Sequence, residues 1–190
     1  SNGKTTTKEM LSSLLSSRYN VLKNEGTQNN LIGVSLTLLR LNPQHDIAVL
    51  EFGTNHFGEI RELARIAAPN MGIITNIGPA HLEFFGDERG VLREKWSLIE
   101  ELAFPRIAVL NADDSLLQER IKNCPEDIQC FTFGLNNPAD FLGKKAVCRN
   151  KKLSFWVKNY RFQLKTCARI NVYNALAAYA ASRIFSLDAY

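Results

Sequence analysis

Apolar and polar residues follow two different patterns along this chain, and the two patterns alternate several times. Continuous apolar runs such as IAVLEF at 47–52 are typical of strands buried on both faces of a parallel sheet. Segments such as GEIRELARIAA at 58–68 place apolar residues three and four positions apart, which indicates helices. The pattern predicts helices at 5–18, 30–41, 58–68, 89–102, 113–123 and 170–185, and strands at 47–52, 71–78, 106–112 and 130–134.

This order predicts the α/β class, because strands that alternate with helices form a mainly parallel sheet flanked by helices on both faces. The alternation of strands and helices stops at 141–166, where two or three antiparallel strands are expected, with polar turns at 149–152 and 158–159. A length of 190 residues allows one domain with such a small β annex.

Composition narrows the function classes only slightly. The chain is 45% hydrophobic and 22% charged, with a net charge of +4 and no long basic run. A solvated surface with extra lysines explains this charge, and an anionic nucleotide site explains it as well as nucleic-acid binding does. No apolar run approaches the roughly 18 residues of a membrane span. The four cysteines lack metal spacing and a C-x-x-C pair, so we expect free thiols in a reducing cytosol.

The first seven residues, SNGKTTT, match the right-hand half of a phosphate-binding loop, G-x-x-x-x-G-K-[ST]. In such a loop, Gly3 lets the backbone approach a phosphate, Lys4 supplies a positive charge, and the Thr5 hydroxyl can bind Mg²⁺. The N-H groups of the following helix add an anion site. The first glycine and its preceding strand are missing, so we expect a domain truncated inside its nucleotide site.

Further candidate residues follow the predicted strands or lie in the helices after them. Glu51 ends a strand, where ligands of open α/β sheets bind, although a carboxylate there can also cap a loop. Asn76 and His81 follow the next strand, and a lone histidine is more often structural. Lys95 lies mid-helix, where a solvated lysine is the ordinary explanation, and helix capping is the ordinary role of Asn174.

The order and spacing of these segments resemble the ATP-binding central domain of the Mur ligases, over nearly the whole chain. The resemblance rests on SNGKTTTKEM, NNLIGVSLTLLRL, VLEFGTNHFGEI, ITNIGPAHLEFFG, GVLREKW, LNADD and NVYNALAA. The segments EFGTNHFGEI and IGVSLTLL look most like the members that join D-alanyl-D-alanine to a UDP-N-acetylmuramoyl tripeptide. Peptidoglycan precursor synthesis in the cytoplasm, without nucleic-acid or membrane partners, is the implied setting.

The resemblance also implies residue roles. ATP would be bound by Asn2, Gly3, Lys4, Thr5, Thr6, Asn30 and Asn174. Mg²⁺ would be bound by Thr5, Glu51, His81 and Lys95, with Lys95 carried as a carbamate, and the catalytic residues would be Lys4, His81 and Lys95. Family members also have an N-terminal domain for the UDP-sugar and a C-terminal domain for the amino substrate. We expect the fragment alone to be inactive.

Three other interpretations stay open. A related ligase could add a different amino acid, another kind of phosphate-loop NTPase could share the first motif, and a non-catalytic paralogue could keep only the fold. Two positions depart from the family pattern: Ile170 stands where His is common, and Ser35 where Pro is common. The presence of both His81 and Lys95 argues against a kinase, a GTPase or a non-catalytic paralogue.

Overall fold

The structure, a computed structural model, describes residues 2–79 and 82–187. Its helices are α1 (Lys4–Leu15), α2 (Leu31–Leu38), α3 (Glu59–Ala67), α4 (Leu82–Phe85), α5 (Glu88–Glu100), α6 (Ser115–Lys122) and α7 (Ile170–Leu187). Its strands are β1 (Val21–Lys23), β2 (Ile47–Val49), β3 (Met71–Ile74), β4 (Ile107–Asn111), β5 (Gln129–Gly134), β6 (Phe141–Arg149), β7 (Lys152–Val157) and β8 (Tyr160–Leu164). All predicted elements are present, but β2 and β3 are about half as long as predicted, ending at Val49 and Ile74 rather than at 52 and 78. Strand β1 and helix α4 were not predicted.

The strands form two separate sheets in the described part of the chain. A six-stranded sheet has the order β3-β4-β5-β6-β7-β8, with parallel pairing from β3 to β6 and antiparallel pairing from β6 to β8. A second sheet contains only β1 and β2, which pair in parallel. The prediction of a mainly parallel sheet with an antiparallel annex is therefore confirmed, but the parallel strands do not form one continuous sheet.

Strand β4 lies at the centre of the core, and all five of its residues are buried. Successive side chains of a strand point to opposite faces. Accordingly, Ile107 and Val109 pack with α7, while Ala108 and Leu110 pack with α5 and α6. Burial on both faces explains why the strands of this sheet appear as continuous apolar runs in the sequence.

Helices α1 and α7 pack against each other at the level of β2. Their contact uses Leu11 and Leu15 from α1 and the small residues Ala178 and Ala181 from α7, both of which are at most 1% exposed. Alanines let two helix backbones approach closely, so α7 holds α1 firmly in place. This packing fixes the direction in which the N-terminus of α1 points.

A cavity of about 570 Å³ separates the two sheets. Residues of β2 and the loop after it line one side, and residues 67–76, which include β3, line the other. Within the described residues, no hydrogen-bond ladder joins β2 to β3. The facing edges of these two strands therefore bound the cavity instead of pairing with each other.

The antiparallel annex, formed by β6, β7 and β8, is linked to the segment before α7 by a disulfide between Cys148 and Cys167, whose Cα atoms are 5.5 Å apart. The prediction that all cysteines are free is therefore wrong for this pair, and it is confirmed for Cys124 and Cys130. The reason is tertiary: the two hairpins return the chain to the end of β6, so cysteines 19 residues apart come within bonding distance.

The longest described helix, α7, has 18 residues and uses its apolar side chains in the core. None of the helices in residues 2–79 and 82–187 has the length and apolar character needed to cross a membrane.

Candidate functional site

The predicted phosphate loop leads directly into α1. Gly3 is the N-cap of this helix and has φ +86°, a left-handed conformation that glycine adopts without steric cost. Its carbonyl oxygen accepts a hydrogen bond of 2.8 Å from the N-H of Thr7, which closes the first helical turn. Among the described residues, the Gly3 N-cap offers no side-chain hydrogen bond to the first turn, an arrangement that suits an anion site.

Residue 2 fastens the loop to the end of β3. The Asn2 carbonyl oxygen accepts hydrogen bonds from Thr75 Oγ1 at 3.0 Å and from Asn76 Nδ2 at 2.8 Å. Its N-H donates to Asn76 Oδ1 at 3.1 Å. The polar residues after β3 therefore position the phosphate loop through its backbone, a role that the sequence did not indicate for Thr75.

Asn174 lies beside Gly3, although the two residues are far apart in sequence. A Cβ atom built on Gly3 would be 2.1 Å from Asn174 Oδ1, so only glycine fits here without movement. Asn174 is 2% exposed and donates to Asn171 Oδ1 at 3.1 Å, while its own Oδ1 has no hydrogen-bond partner among the described residues. Capping is the wrong explanation for Asn174, because it lies one turn inside α7.

Glu51 is buried just after β2 and faces the cavity between the sheets. Asn24 holds its backbone from both sides, donating to the Glu51 carbonyl at 3.0 Å and accepting from its N-H at 2.9 Å. Glu51 Oε1 accepts from Asn29 Nδ2 at 2.9 Å, whereas Oε2 has no hydrogen-bond partner in the described part of the chain. A buried carboxylate oxygen without a donor is costly, so this oxygen is suited to a cation.

Lys95 lines the same cavity as Lys4 and Glu51. It extends from α5 and donates to the carbonyl oxygen of Asn76 at 3.0 Å. Burial, together with the nearby charge of Lys4, lowers the pKa of Lys95 from its ordinary 10.5 to about 8 against the opposing effect of Asp114. The interpretation of Lys95 as an ordinary solvated lysine is therefore wrong.

Glu94, the residue before Lys95, organises the opposite wall of the cavity and was not singled out from the sequence. Its carboxylate accepts hydrogen bonds from the N-H groups of Gly58 at 2.7 Å and Ile60 at 2.8 Å, at the start of α3. It also accepts from Thr54 Oγ1 at 3.2 Å. A carboxylate at a helix N-terminus is stabilised by the free N-H groups there, so Glu94 fixes the segment 54–60 against α5.

Asp113 organises the loop after β5, close to the start of α7. It accepts hydrogen bonds from the N-H groups of Leu135 at 2.7 Å and Asn137 at 2.8 Å, and from Tyr173 Oη at 2.9 Å. Partial burial opposes the effect, but these donors lower the pKa of the Asp113 carboxyl. Burial, together with the Asp113 carboxylate, raises the pKa of Tyr173 to about 12. The LNADD motif thus connects β4 to the helix that contains Asn174.

The positions of the remaining predicted site residues give less information about their roles. Thr5 is exposed and Thr6 is half-buried in the first turn of α1. Asn30 caps α2, accepting a hydrogen bond of 2.9 Å from the N-H of Gly33. His81 lies outside the described residues. No group of three His, Cys, Asp or Glu side chains forms a ready metal site within the residues that are described.

Comparison with known proteins decides the family. The family model for the Mur ligase middle domain matches residues 1–182. This chain belongs to the Mur ligase family. As a Mur ligase middle domain, it has the fold that the sequence resemblance implied.

Curated relatives agree with this assignment. This middle domain is 35% identical over 189 residues to the UDP-N-acetylmuramoyl-tripeptide–D-alanyl-D-alanine ligase of Bacillus subtilis, a match that covers 98% of the chain and 40% of the relative. It is 44% identical over 115 residues to the ligase of the same name from Escherichia coli, covering 60% of the chain and 25% of the relative. The chain therefore spans less than half the length of these relatives.

Solved structures show the same similarity in three dimensions. MurF from Acinetobacter baumannii superimposes with a TM-score of 0.91 at 33% identity, covering 98% of this chain and 41% of that one. The MurF ligase from Thermotoga maritima, solved in complex with ADP, gives a TM-score of 0.85 at 29% identity, covering 98% and 44%. Both similarities therefore extend over nearly the whole of this chain.

Replacing Gly3 by alanine tests the close approach to Asn174. We expect Gly3→Ala to lower the free energy of unfolding by about 2–4 kcal/mol, because left-handed strain adds to a clash with a buried side chain. The matched control is Gly26→Ala, which also has positive φ but nothing within 4 Å of the new Cβ. Urea denaturation measures both. Equal losses for the two variants would show that the contact with Asn174 has no energetic consequence.

The pH at which Lys95 becomes neutral is a second measurable consequence. Below about pH 8 the amine is protonated in both the folded and the unfolded chain, whereas between about pH 8 and 10.5 only the unfolded chain keeps the proton. Burial of Lys95 therefore costs stability below pH 8, and this cost is relieved as the pH rises through that window. Competitive acylation of the full-length protein, followed by mass spectrometry, should give Lys95 a reactivity midpoint near pH 8. Exposed Lys122 is the internal comparison, and a Lys95 midpoint near 10.5 would refute the assignment.

Proposed function

We propose that the full-length protein is an ATP-dependent ligase that forms an amide bond between UDP-N-acetylmuramoyl tripeptide and D-alanyl-D-alanine. The observation that carries the proposal is the convergence of Lys4, Glu51 and Lys95 on one cavity at the N-terminus of an uncapped helix. The names of the curated relatives from Bacillus subtilis and Escherichia coli support this donor and acceptor, and the ADP complex of the Thermotoga maritima relative supports ATP as the nucleotide.

The proposed reaction must bring two anions together, the tripeptide carboxylate and the ATP triphosphate, before the amide forms. The tripeptide carboxylate attacks the γ-phosphorus of ATP, ADP leaves, and an acyl phosphate remains. The amine of D-alanyl-D-alanine then attacks the acyl carbon, loses a proton, and displaces phosphate through a tetrahedral intermediate. Lys4 and the N-H groups of α1 would offset the charge of the phosphates while the loop orients them. Gly3 allows this close approach, and Asn174 would contact the adenine.

Mg²⁺ fits the described part of the site, because Glu51 Oε2 is a buried carboxylate oxygen without a donor. We propose Thr5, Glu51, His81 and a carbamate on Lys95 as the residues that would hold it. When bound, Mg²⁺ supplies positive charge that reduces the repulsion between carboxylate and triphosphate. The lowered pKa of Lys95 supports carbamate formation, because CO₂ adds only to the neutral amine, which then loses a proton.

We further propose that this chain is the central domain of a longer protein with a UDP-substrate domain before it and a third domain after it. The curated relatives support this, since the chain covers only 40% of the Bacillus subtilis protein. The cavity between β2 and β3 supports a preceding strand, because a parallel strand inserted there would pair with both facing edges. It would leave Lys4, Glu51 and Lys95 beyond the carboxyl ends of the strands, where Glu51 follows β2 and Lys95 bonds to the residue after Thr75. Such a strand is the element that precedes a phosphate loop in sequence.

We propose the cytoplasm as the location, because the reaction consumes ATP. The Cys148–Cys167 disulfide is compatible with this location, because both of its residues are exposed and cellular thiols can therefore reach and reduce it.

Substrate omission tests the proposed reaction. The full-length protein is incubated with Mg-ATP, UDP-N-acetylmuramoyl tripeptide and D-alanyl-D-alanine, and phosphate release is followed as each component is left out. We expect release only with all three, and a product that contains the new amide. Release with a different amine would keep the ligase chemistry and change the acceptor. Nucleotide binding without release under every condition would support a non-catalytic paralogue and overturn the proposal.

The carbamate role of Lys95 predicts a specific mutational result. We expect Lys95→Ala and Lys95→Arg each to lower the ligation rate at least about hundredfold, because neither side chain can become an anionic metal ligand. Added bicarbonate should rescue neither variant. Lys122→Ala is the matched control and should retain the wild-type rate. Near-normal ligation by Lys95→Arg would contradict the carbamate, since arginine keeps only the positive charge.

A further inference from the structure

The positive charge of this chain is concentrated in the antiparallel annex. Residues 141–166 contain eight lysines and arginines and neither aspartate nor glutamate. The whole chain has 23 basic and 19 acidic residues, which leaves 15 basic and 19 acidic residues, a net charge of −4, for the rest. The eight are Lys144, Lys145, Arg149, Lys151, Lys152, Lys158, Arg161 and Lys165. The modest net charge of +4 therefore hides a strong separation of charge between two parts of the molecule.

The alternation of strand β7 gives the annex two different faces. Leu153, Phe155 and Val157 are buried and join the core cluster that includes α7. The residues between them point the other way, and Trp156 on this side pairs with Arg161 of β8. The outward residues border a shallow groove of about 450 Å³. We call this surface the basic face and define it by Lys145, Val147, Arg149, Lys152, Trp156 and Arg161.

The cations of the basic face are not neutralised within the described part of the chain. Among the described residues, none of its lysines or arginines takes part in an ion pair. The ion pairs that the described residues do form all join residues outside 141–166. The side chain of Arg161 makes only a long hydrogen bond of 3.5 Å to Ser154 Oγ. These charges are therefore free to interact with external anions at little desolvation cost.

Apolar side chains are exposed among these cations. Trp156 is 40% exposed and Val147 is 46% exposed. An indole ring combines apolar area with a polar N-H, so it partitions to the interface between lipid headgroups and acyl chains. Basic residues around such a ring add attraction to anionic headgroups.

We propose that the basic face binds the surface of a membrane that contains anionic phospholipids. A single-stranded nucleic acid is the competing partner, but such sites use several aromatic side chains on which successive bases stack. The basic face contains one aromatic ring, Trp156, and an aliphatic Val147 that cannot stack on bases. Because α7, which contains Asn174, packs on the opposite face of the annex, membrane binding would leave the nucleotide site accessible. This inference does not depend on the proposed ligase reaction.

Vesicle sedimentation of the full-length protein tests the proposal. The probes are vesicles of phosphatidylcholine alone and vesicles in which about one-third is phosphatidylglycerol. We expect binding only to the anionic vesicles, and weaker binding at high salt. Each cation near the surface contributes roughly fivefold to the affinity, so Lys145→Glu/Lys152→Glu/Arg161→Glu should lower it at least about a hundredfold.

A second triple variant distinguishes an effect of the basic face on binding from an effect of the net charge of the protein. Arg18→Glu/Lys122→Glu/Arg183→Glu makes the same charge change at exposed positions elsewhere, and it should bind far more tightly than the first variant. If the first variant has a lowered melting temperature, Lys145→Gln/Lys152→Gln/Arg161→Gln replaces it. Trp156→Phe should remove part of the tryptophan fluorescence shift that anionic vesicles cause.

Several results would overturn the proposal. These are absence of binding to anionic vesicles, equal losses in the two triple variants, or an unchanged fluorescence shift in Trp156→Phe. The final measurement is the binding of a labelled single-stranded RNA to the same variants. If RNA binds more tightly than anionic vesicles and only the basic-face variant loses it, the face is a nucleic-acid site and the membrane assignment fails.

Discussion

The close approach between Gly3 and Asn174 is the constraint on which the rest of the candidate site depends. It brings the start of α1 against the second turn of α7, two helices from opposite ends of the chain. The approach is possible because Gly3 has no side chain and because Ala178 and Ala181 let the same two helices pack closely further along. The direction in which the N-terminus of α1 points is therefore set by the core.

A second level of organisation comes from buried polar groups that hold backbone segments in place. Asn24 fixes Glu51, Glu94 fixes the start of α3, and Asp113 fixes the loop after β5. Each of these side chains satisfies backbone N-H or C=O groups that would otherwise be unpaired beside the cavity. Beside these scaffold residues, Glu51 Oε2 and the Lys95 amine have the properties on which the proposed metal site rests. These properties are an oxygen without a donor and a lowered pKa.

The distribution of charge adds a further level of organisation, which extends over a whole segment of the chain. The core of the annex is shared with α7, but its outer face collects cations without any acidic neighbour in its own segment. Such a face is unfavourable by self-repulsion and is most simply understood as a surface that meets anions. The proposed nucleotide site and the basic face thus lie on different sides of the layer formed by the β annex and α7.

The sequence by itself determined the α/β order of elements, because strands buried on both faces must be continuous apolar runs and helices must repeat at 3.6 residues. It also predicts a phosphate loop at Gly3, Lys4 and Thr5, since such a loop is a local motif whose residues act within one turn. The family resemblance added proposed roles for Glu51, Lys95 and Asn174, which their positions in the sequence had marked only as candidates.

Only the tertiary structure decided how distant residues meet. It showed Asn174 against Gly3, the division of the parallel strands into two sheets around a cavity, and the Cys148–Cys167 bond. It also separated Asn30, a helix cap, from the residues that line the cavity. These features depend on packing between segments tens of residues apart, and neither hydrophobic periodicity nor local spacing contains that information.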